Sequence, residues 1–302
     1  MTESRAPSAS GSRSNWGRWG EADQIGALNL LTAGAVKSAA AEIRQGLVLS
    51  LGMRIQREGV PVYPARNPSL HLMSLDGGDY AAGARLKLDG IEIADDYIFM
   101  GTGGGTHMDG LSHVWYDEHL YNGVHRDRVR SYGATKLGIE HAQWLVARGV
   151  HLDVAGLHGV DHLEQGHAIS AEELQECCAA AGVEIRPGDA VVIRTGWLSV
   201  YAEDPVAYFE HQPGIRIDAA EWLADRDICA VAADNQGIEW EGQDGRSRAV
   251  HKLLIRDLGI YMIELLDLEP LHEHEVTTFA FVAAPLKITG AIASPVNPLA
   301  II

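Results

Sequence analysis

Three cysteines in 302 residues exclude a disulfide scaffold. Cys177 and Cys178 are neighbours in a helical stretch and Cys229 lies in an apolar one, so all three are expected to be reduced and structural. Positive charge is scarce: 24 Lys and Arg against 41 Asp and Glu give a net charge of −17. Such a field repels phosphate backbones and anionic bilayers, which excludes nucleic acid and membrane surfaces as partners. No apolar run approaches the ~18 residues of a membrane span, and the opening MTESRAPSASGSRSN has no signal-peptide core. The expectation is a cytoplasmic protein with a disordered polar tail over residues 1–14. Neither repeats nor linker-like stretches follow, so residues 15–302 read as a single domain whose 46% hydrophobic content can fill a large core.

What is present is an alternation of short apolar runs and capped helical segments. Strands are expected over Leu49–Ile55, Asp96–Met100, Val150–Val154, Ala190–Arg194, Cys229–Ala233, Tyr261–Leu265 and Thr277–Ala283. Helices are expected from Thr32 to Gln45, from Ser170 with its capping-box partner Glu173 to Gly182, and from Asp218 to about Asp225. Residues Val60–Asp95, with their prolines and Gly77-Gly78, read as long loops and a hairpin. The class is mixed α/β.

One stretch carries the chemistry: GTGGGTHMDGLSHVWYD, Gly101 to Asp117. Glycines after an apolar run invite a phosphate-loop reading, but Thr106 stands where the dinucleotide pattern needs glycine, and no Gly-Lys-Ser/Thr follows. A metal reading has a geometric basis. In an extended chain His107 and Asp109 share a face, and in a helical turn Asp109 and His113 meet at i, i+4. Imidazole and carboxylate ligands suit zinc, manganese or iron. A helix cap at Asp109 with histidines hydrogen-bonded in a polar loop fits the string equally well.

The string resembles the signature of the putative cyclase family, which includes bacterial kynurenine formamidases and isatin hydrolase and is usually written H-x-G-T-H-x-D-x-P-x-H. Gly105-Thr106-His107-x-Asp109 and His113 match in spacing. HKLLIRDLGIYMIELLDL supplies a second landmark, a helical histidine and a strand ending in Glu, as His251 and Glu264. NWGRWGEADQIGALNLLT and KITGAIASPVNPLAII resemble a longer branch of the same family. The resemblance runs from about Asn15 to the C-terminus and implies an α/β fold, a swivelling β/β/α mixed barrel-like sheet with flanking helices, preceded by an N-terminal extension. It also implies one divalent metal ion, zinc or manganese, on His107, Asp109, His251 and Glu264, with His113 as catalytic residue. Gly103 stands where the family's first histidine falls, which argues for one metal held by fewer ligands, or for none, rather than two. Leu111 replaces the family's proline.

Other residues are candidates on their own account. Glu264, a carboxylate inside IYMIELL, needs a cation or a proton if buried. Asn235, after the strand CAVAA, is placed to orient a substrate carbonyl or to form a turn, and Trp115 to wall a pocket or to fill core. His119 and His125 read as loop residues, and the alternation in LHEHEV puts His272 and His274 on one face of any strand. The expected function is metal-dependent hydrolysis of an amide, cyclic amide or lactone bond of a small molecule, with His113 as general acid/base. The alternative is a small-molecule-binding protein of the same fold without metal or catalysis. The resemblance and the apolar PVNPLAII terminus also predict a homodimer or homotetramer.

Overall fold

A computed structural model describes residues 13–242 and 247–302. The expected disordered tail, residues 1–14, lies outside them except for its last two positions.

A curled nine-stranded sheet organises the chain. We label its strands β1 (Val48–Ser50), β2 (His107–Asp109), β3 (Leu145–Asp153), β4 (Ala190–Arg194), β5 (Ala230–Ala233), β6 (Tyr261–Glu264), β7 (Thr278–Ala283), β8 (Ala293–Pro295) and β9 (Leu299–Ile301). Their spatial order is β1-β9-β7-β3-β4-β5-β6-β2-β8. The four central strands β3 to β6 run parallel, and both flanks are antiparallel. AVVIR of β4 and AVAA of β5 are buried at every position, as expected of parallel strands covered on both faces.

Among the described residues, three α-helices of eight or more residues cover the sheet: α1 (Ala33–Ala40), α2 (Ala171–Ala181) and α3 (Ile217–Ala224). Thr32 caps α1 through Ala35 N. Ser170 and Glu173 form a reciprocal capping box on α2, which stops at Gly182 with φ +63°, the left-handed conformation glycine adopts without steric cost. Leu174 and Cys177 of α2 and Ala219, Ala220 and Leu223 of α3 join the main core with the central strands.

The fold class is the one expected, while several boundaries differ. The Leu49–Ile55 strand is only β1. The helix expected to Gln45 ends at Ala40, beyond which the chain bonds to the C-terminal strand through Gln45 N and Gly46 N to Ile302 O. Asp218 does not cap α3. Arg216 holds that position without a side-chain cap, and Asp218 accepts Ala171 N instead, joining α3 to the start of α2. LHEHEV is no strand: His272 lies in the helical turn Glu269–Glu273 and pairs with Asp153 at 2.6 Å. PVNPLAII is drawn into the sheet rather than left on the surface: Pro298, Ala300 and Ile302 are buried and Asn297 is its one exposed residue. β9 is hydrogen-bonded on both sides, and Ile302 is buried, because an apolar terminal segment is more stable as a central strand than on the surface. The strand expected over Asp96–Met100 forms as Asp95–Phe99 and pairs only with Leu70–Leu75, in a hairpin outside the main sheet.

The N-terminal extension clamps the segment that carries His251. Asn15 Nδ2 and Trp16 Nε1 donate to the carbonyls of Leu258 and Arg256. The Arg256 guanidinium lies over the rings of Trp16 and Tyr116, at 4.3 and 3.9 Å. No helix among the described residues is long and apolar enough to cross a membrane.

Candidate metal centre

β2 and β6 lie side by side, and their register sets Glu264 opposite His107. Gly105, at φ +63°, turns the chain into β2, and its carbonyl accepts from His107 Nδ1 at 2.8 Å. A carbonyl only accepts, so the proton sits on Nδ1 and the Nε2 lone pair faces Asp109 and Glu264. The strand alternation expected of His107 and Asp109 therefore holds. No helix follows Asp109; a turn closed by His113 N to Gly110 O brings His113 back, so a turn does what the helical spacing was expected to do.

Five side chains converge. His107 Nε2 is 3.7 Å from Asp109 Oδ1 and 3.6 Å from Glu264 Oε2. His113 Nε2 is 3.8 Å from Asp109 Oδ2, and His251 Nε2 is 3.5 Å from Glu264 Oε1. These separations exceed the ~2.7–3.2 Å of a hydrogen bond. Their ligating atoms form two overlapping sets, His107–Asp109–Glu264 and Asp109–His113–His251, each within 4.8 Å. Both oxygens of Asp109 are buried without a hydrogen-bond partner. A carboxylate stripped of water and left unpaired costs several kcal/mol, about what a cation at the centre would offset. The donor set, imidazole nitrogen and carboxylate oxygen around one point, fits a divalent first-row metal.

The sequence reading missed a sixth residue. Glu239, buried, receives His251 Nδ1 at 2.5 Å and the backbone N–H of Val250 at 2.9 Å. This carboxylate–imidazole pair directs His251 Nε2 toward Glu264, the arrangement that orients metal-ligating histidines. Burial disfavours charge on His251, but the hydrogen bond to Glu239 and the nearby carboxylate of Glu264 outweigh it and raise its pKa to about 10. Burial likewise opposes ionisation of Glu264, and the neighbouring His251 and His107 overcome it, lowering its pKa to about 2. Two non-glycine residues with left-handed backbone flank these carboxylates, Ile238 at φ +60° and Leu265 at φ +59°. Such strained positions cluster at functional sites. The trace of Glu239 in the sequence is an acid between two apolar residues, Ile238 and Trp240.

The remaining candidates divide. Trp115 is 44% exposed near His113. Asn235 is fully buried, donating through Nδ2 to the Pro213 carbonyl and keeping its Oδ1 without a partner. Its backbone carbonyl accepts Leu265 N, so it sits at the strand ends beside Glu264. At Gly103 the Arg66 guanidinium stands 2.9–3.0 Å from the point a Cβ would occupy, and Arg66 Nη1 donates to the Gly103 carbonyl. A side chain at 103 would have to displace this arginine.

Comparison with known proteins gives the family. Residues 49–240 match the family model described as cyclase, putative cyclase. Isatin hydrolase of Roseibium aggregatum is 27% identical over 223 residues, 71% of this chain and 77% of that protein. Among solved structures, one described as a novel cyclase superposes with a TM-score of 0.89 at 37% identity, covering 96% of this chain and all of that one. An isatin hydrolase bound to the product analogue thioisatinate shares the fold, with a TM-score of 0.63 at 22% identity over 90% of this chain and 99% of that one. The family model spans well over half of the chain, and the chain belongs to the putative cyclase family.

Proposed function

We propose that the protein is a metal-dependent hydrolase that opens an amide, cyclic amide or lactone bond of a small molecule. The observation that carries this reading is Asp109, whose buried oxygens have no hydrogen-bond partner in the midst of His107, His113, His251 and Glu264. His107, Asp109, His251 and Glu264 would hold one zinc or manganese ion, which supplies polarisation of a carbonyl and activation of water near neutral pH. Support for a hydrolase also comes from the isatin hydrolase relative.

The chain's own residues divide the work by exposure. His107 and Asp109 side chains are 1% exposed, whereas that of His113 is 23% exposed. His113 is thus the member of the cluster that reaches both the site and the side from which substrate enters. Its Nε2 accepts a proton from the attacking water and returns it to the leaving nitrogen or oxygen, while Asp109, 3.8 Å away, stabilises the imidazolium between the two steps. Glu239 holds His251 in one orientation. Trp115 walls the entrance, and Asn235 positions the strand end beside Glu264.

The test is a panel of N-formyl aromatics, cyclic imides, isatin-like amides and lactones, assayed with chelator-stripped protein and again after zinc or manganese is restored. The reading expects turnover of at least one class only in the restored protein. Equal activity in the stripped protein overturns the metal assignment, and no turnover despite bound metal favours a binding protein of the same fold.

A further inference from the structure

Away from this centre, on the α2 side of the sheet, a second group of ligating side chains meets. His158 ends the short helix Val154–Leu157, His167 precedes the small strand Ala168–Ile169, and Glu173 lies in the first turn of α2. The Nε2 atoms of both histidines point at one oxygen, Glu173 Oε1, at 3.0 and 2.7 Å. Their rings are 5.4 Å apart and tilted by 68°. The other oxygen, Oε2, is already engaged by Ser170 N and Oγ, so the capping box fixes the carboxylate and leaves Oε1 for the imidazoles. Ligating atoms of the three residues all lie within 4.8 Å of one another.

We propose that His158, His167 and Glu173 bind a second divalent transition-metal ion, zinc or a close congener, as a structural clip. Two imidazoles and a carboxylate form a common zinc donor set, whose ligand atoms sit about 3.3 Å apart around a tetrahedral ion. The present separations are a few tenths of an ångström shorter, within reach of small rotations of the two histidines. Side-chain exposures of 41%, 28% and 17% for His158, His167 and Glu173 leave a path for the ion and a position for water. Asp218, whose Oδ2 accepts Ala171 N at the same end of α2, offsets part of the positive end of that helix's dipole.

The ion would close the loop 158–167 onto α2. That loop already docks on the end of β4: Leu163 N donates to Thr195 O, and Arg194 Nη2 donates to Asp161 O. Residues 158–167 would then be tied at both ends, and the ion would raise thermal stability without entering the chemistry of the first centre.

Stoichiometry separates the two centres. Untagged protein stripped by chelation is titrated with Co(II) and followed by visible absorption, with metal per chain counted after desalting. Two ions are expected in the wild type, one in His107→Ala, one in the double variant His158→Ala/His167→Ala, and none when all three changes are combined. Zinc should raise the melting temperature of His107→Ala but not that of the combined variant. A single wild-type ion retained by the double variant overturns the second site alone. A single ion lost in the double variant upholds it and overturns the first centre, and no bound ion overturns both. Because both histidines are partly exposed, the double variant is expected to keep the wild-type circular dichroism.

Discussion

His251 donates a hydrogen bond from Nδ1 to Glu239 Oε1 at 2.5 Å while its Nε2 faces Glu264 at 3.5 Å. One imidazole thus links a buried orienting carboxylate to a buried candidate ligand. Glu239→Gln keeps the shape of that orienting group but removes its charge. Metal affinity should fall about 10- to 100-fold, the usual effect of losing such a partner. Calorimetric titration of the variant checks this, and unchanged affinity would detach Glu239 from the metal site.

Metal removal should also lower stability, because an ion bound only by the folded state adds about 2.7 kcal/mol at a concentration 100 times its Kd. For a chain of this size that corresponds to a melting shift of roughly 5 °C. His107→Ala should abolish the activity and, in the His158→Ala/His167→Ala background, the shift as well. A His107→Ala protein with unaltered metal affinity and turnover at this centre would sink the ligand assignment.

His113→Ala tests proton transfer apart from binding. Turnover should drop by about two to four orders of magnitude, the contribution of a positioned acid/base group, with the ion at the first centre retained and KM changed less. If the variant loses that ion, His113 is a ligand, as its grouping with Asp109 and His251 allows. Near-normal turnover would make it structural.

Burial raises the Asp234 carboxyl to about 6 despite donors from Thr195 and Gly196. A carboxyl whose folded pKa lies above its unfolded value stabilises the fold most below about pH 4, and that contribution is lost as pH rises through about 6. Asp234→Asn should remove this slope. Its melting temperature relative to wild type should therefore climb between pH 4 and pH 7, and a constant difference would refute the assignment.

The hairpin of Leu70–Leu75 and Asp95–Phe99 pairs Leu70 with Phe99 and Leu72 with Tyr97, so these four share one face. All four are exposed, Tyr97 by 70% and Phe99 by 67%. A two-stranded ribbon with an uncovered apolar face is marginal alone. We expect a homodimer or homotetramer that covers it, and Tyr97→Ser/Phe99→Ser should shift the protein toward monomer. Light scattering of the wild type at the chain mass of 32.6 kDa would refute this expectation.

How much was legible in the sequence depends on how far apart the interacting residues lie along the chain. Strand alternation puts His107 and Asp109 on one face, and Ser170 with Glu173 announces the start of α2, because two and three residues of separation are governed by local backbone geometry. Apolar runs mark β4 and β5 because burial on both faces leaves no polar position. Glu264 opposite His107, Glu239 against His251, Arg66 at Gly103, and His158 with His167 on Glu173 leave no such local signature. Each depends on sheet register or loop closure across 12 or more residues, except the His167–Glu173 contact, which needs a specific turn into α2. Periodicity reports which face a residue takes; only packing of the whole chain decides which residue it meets there.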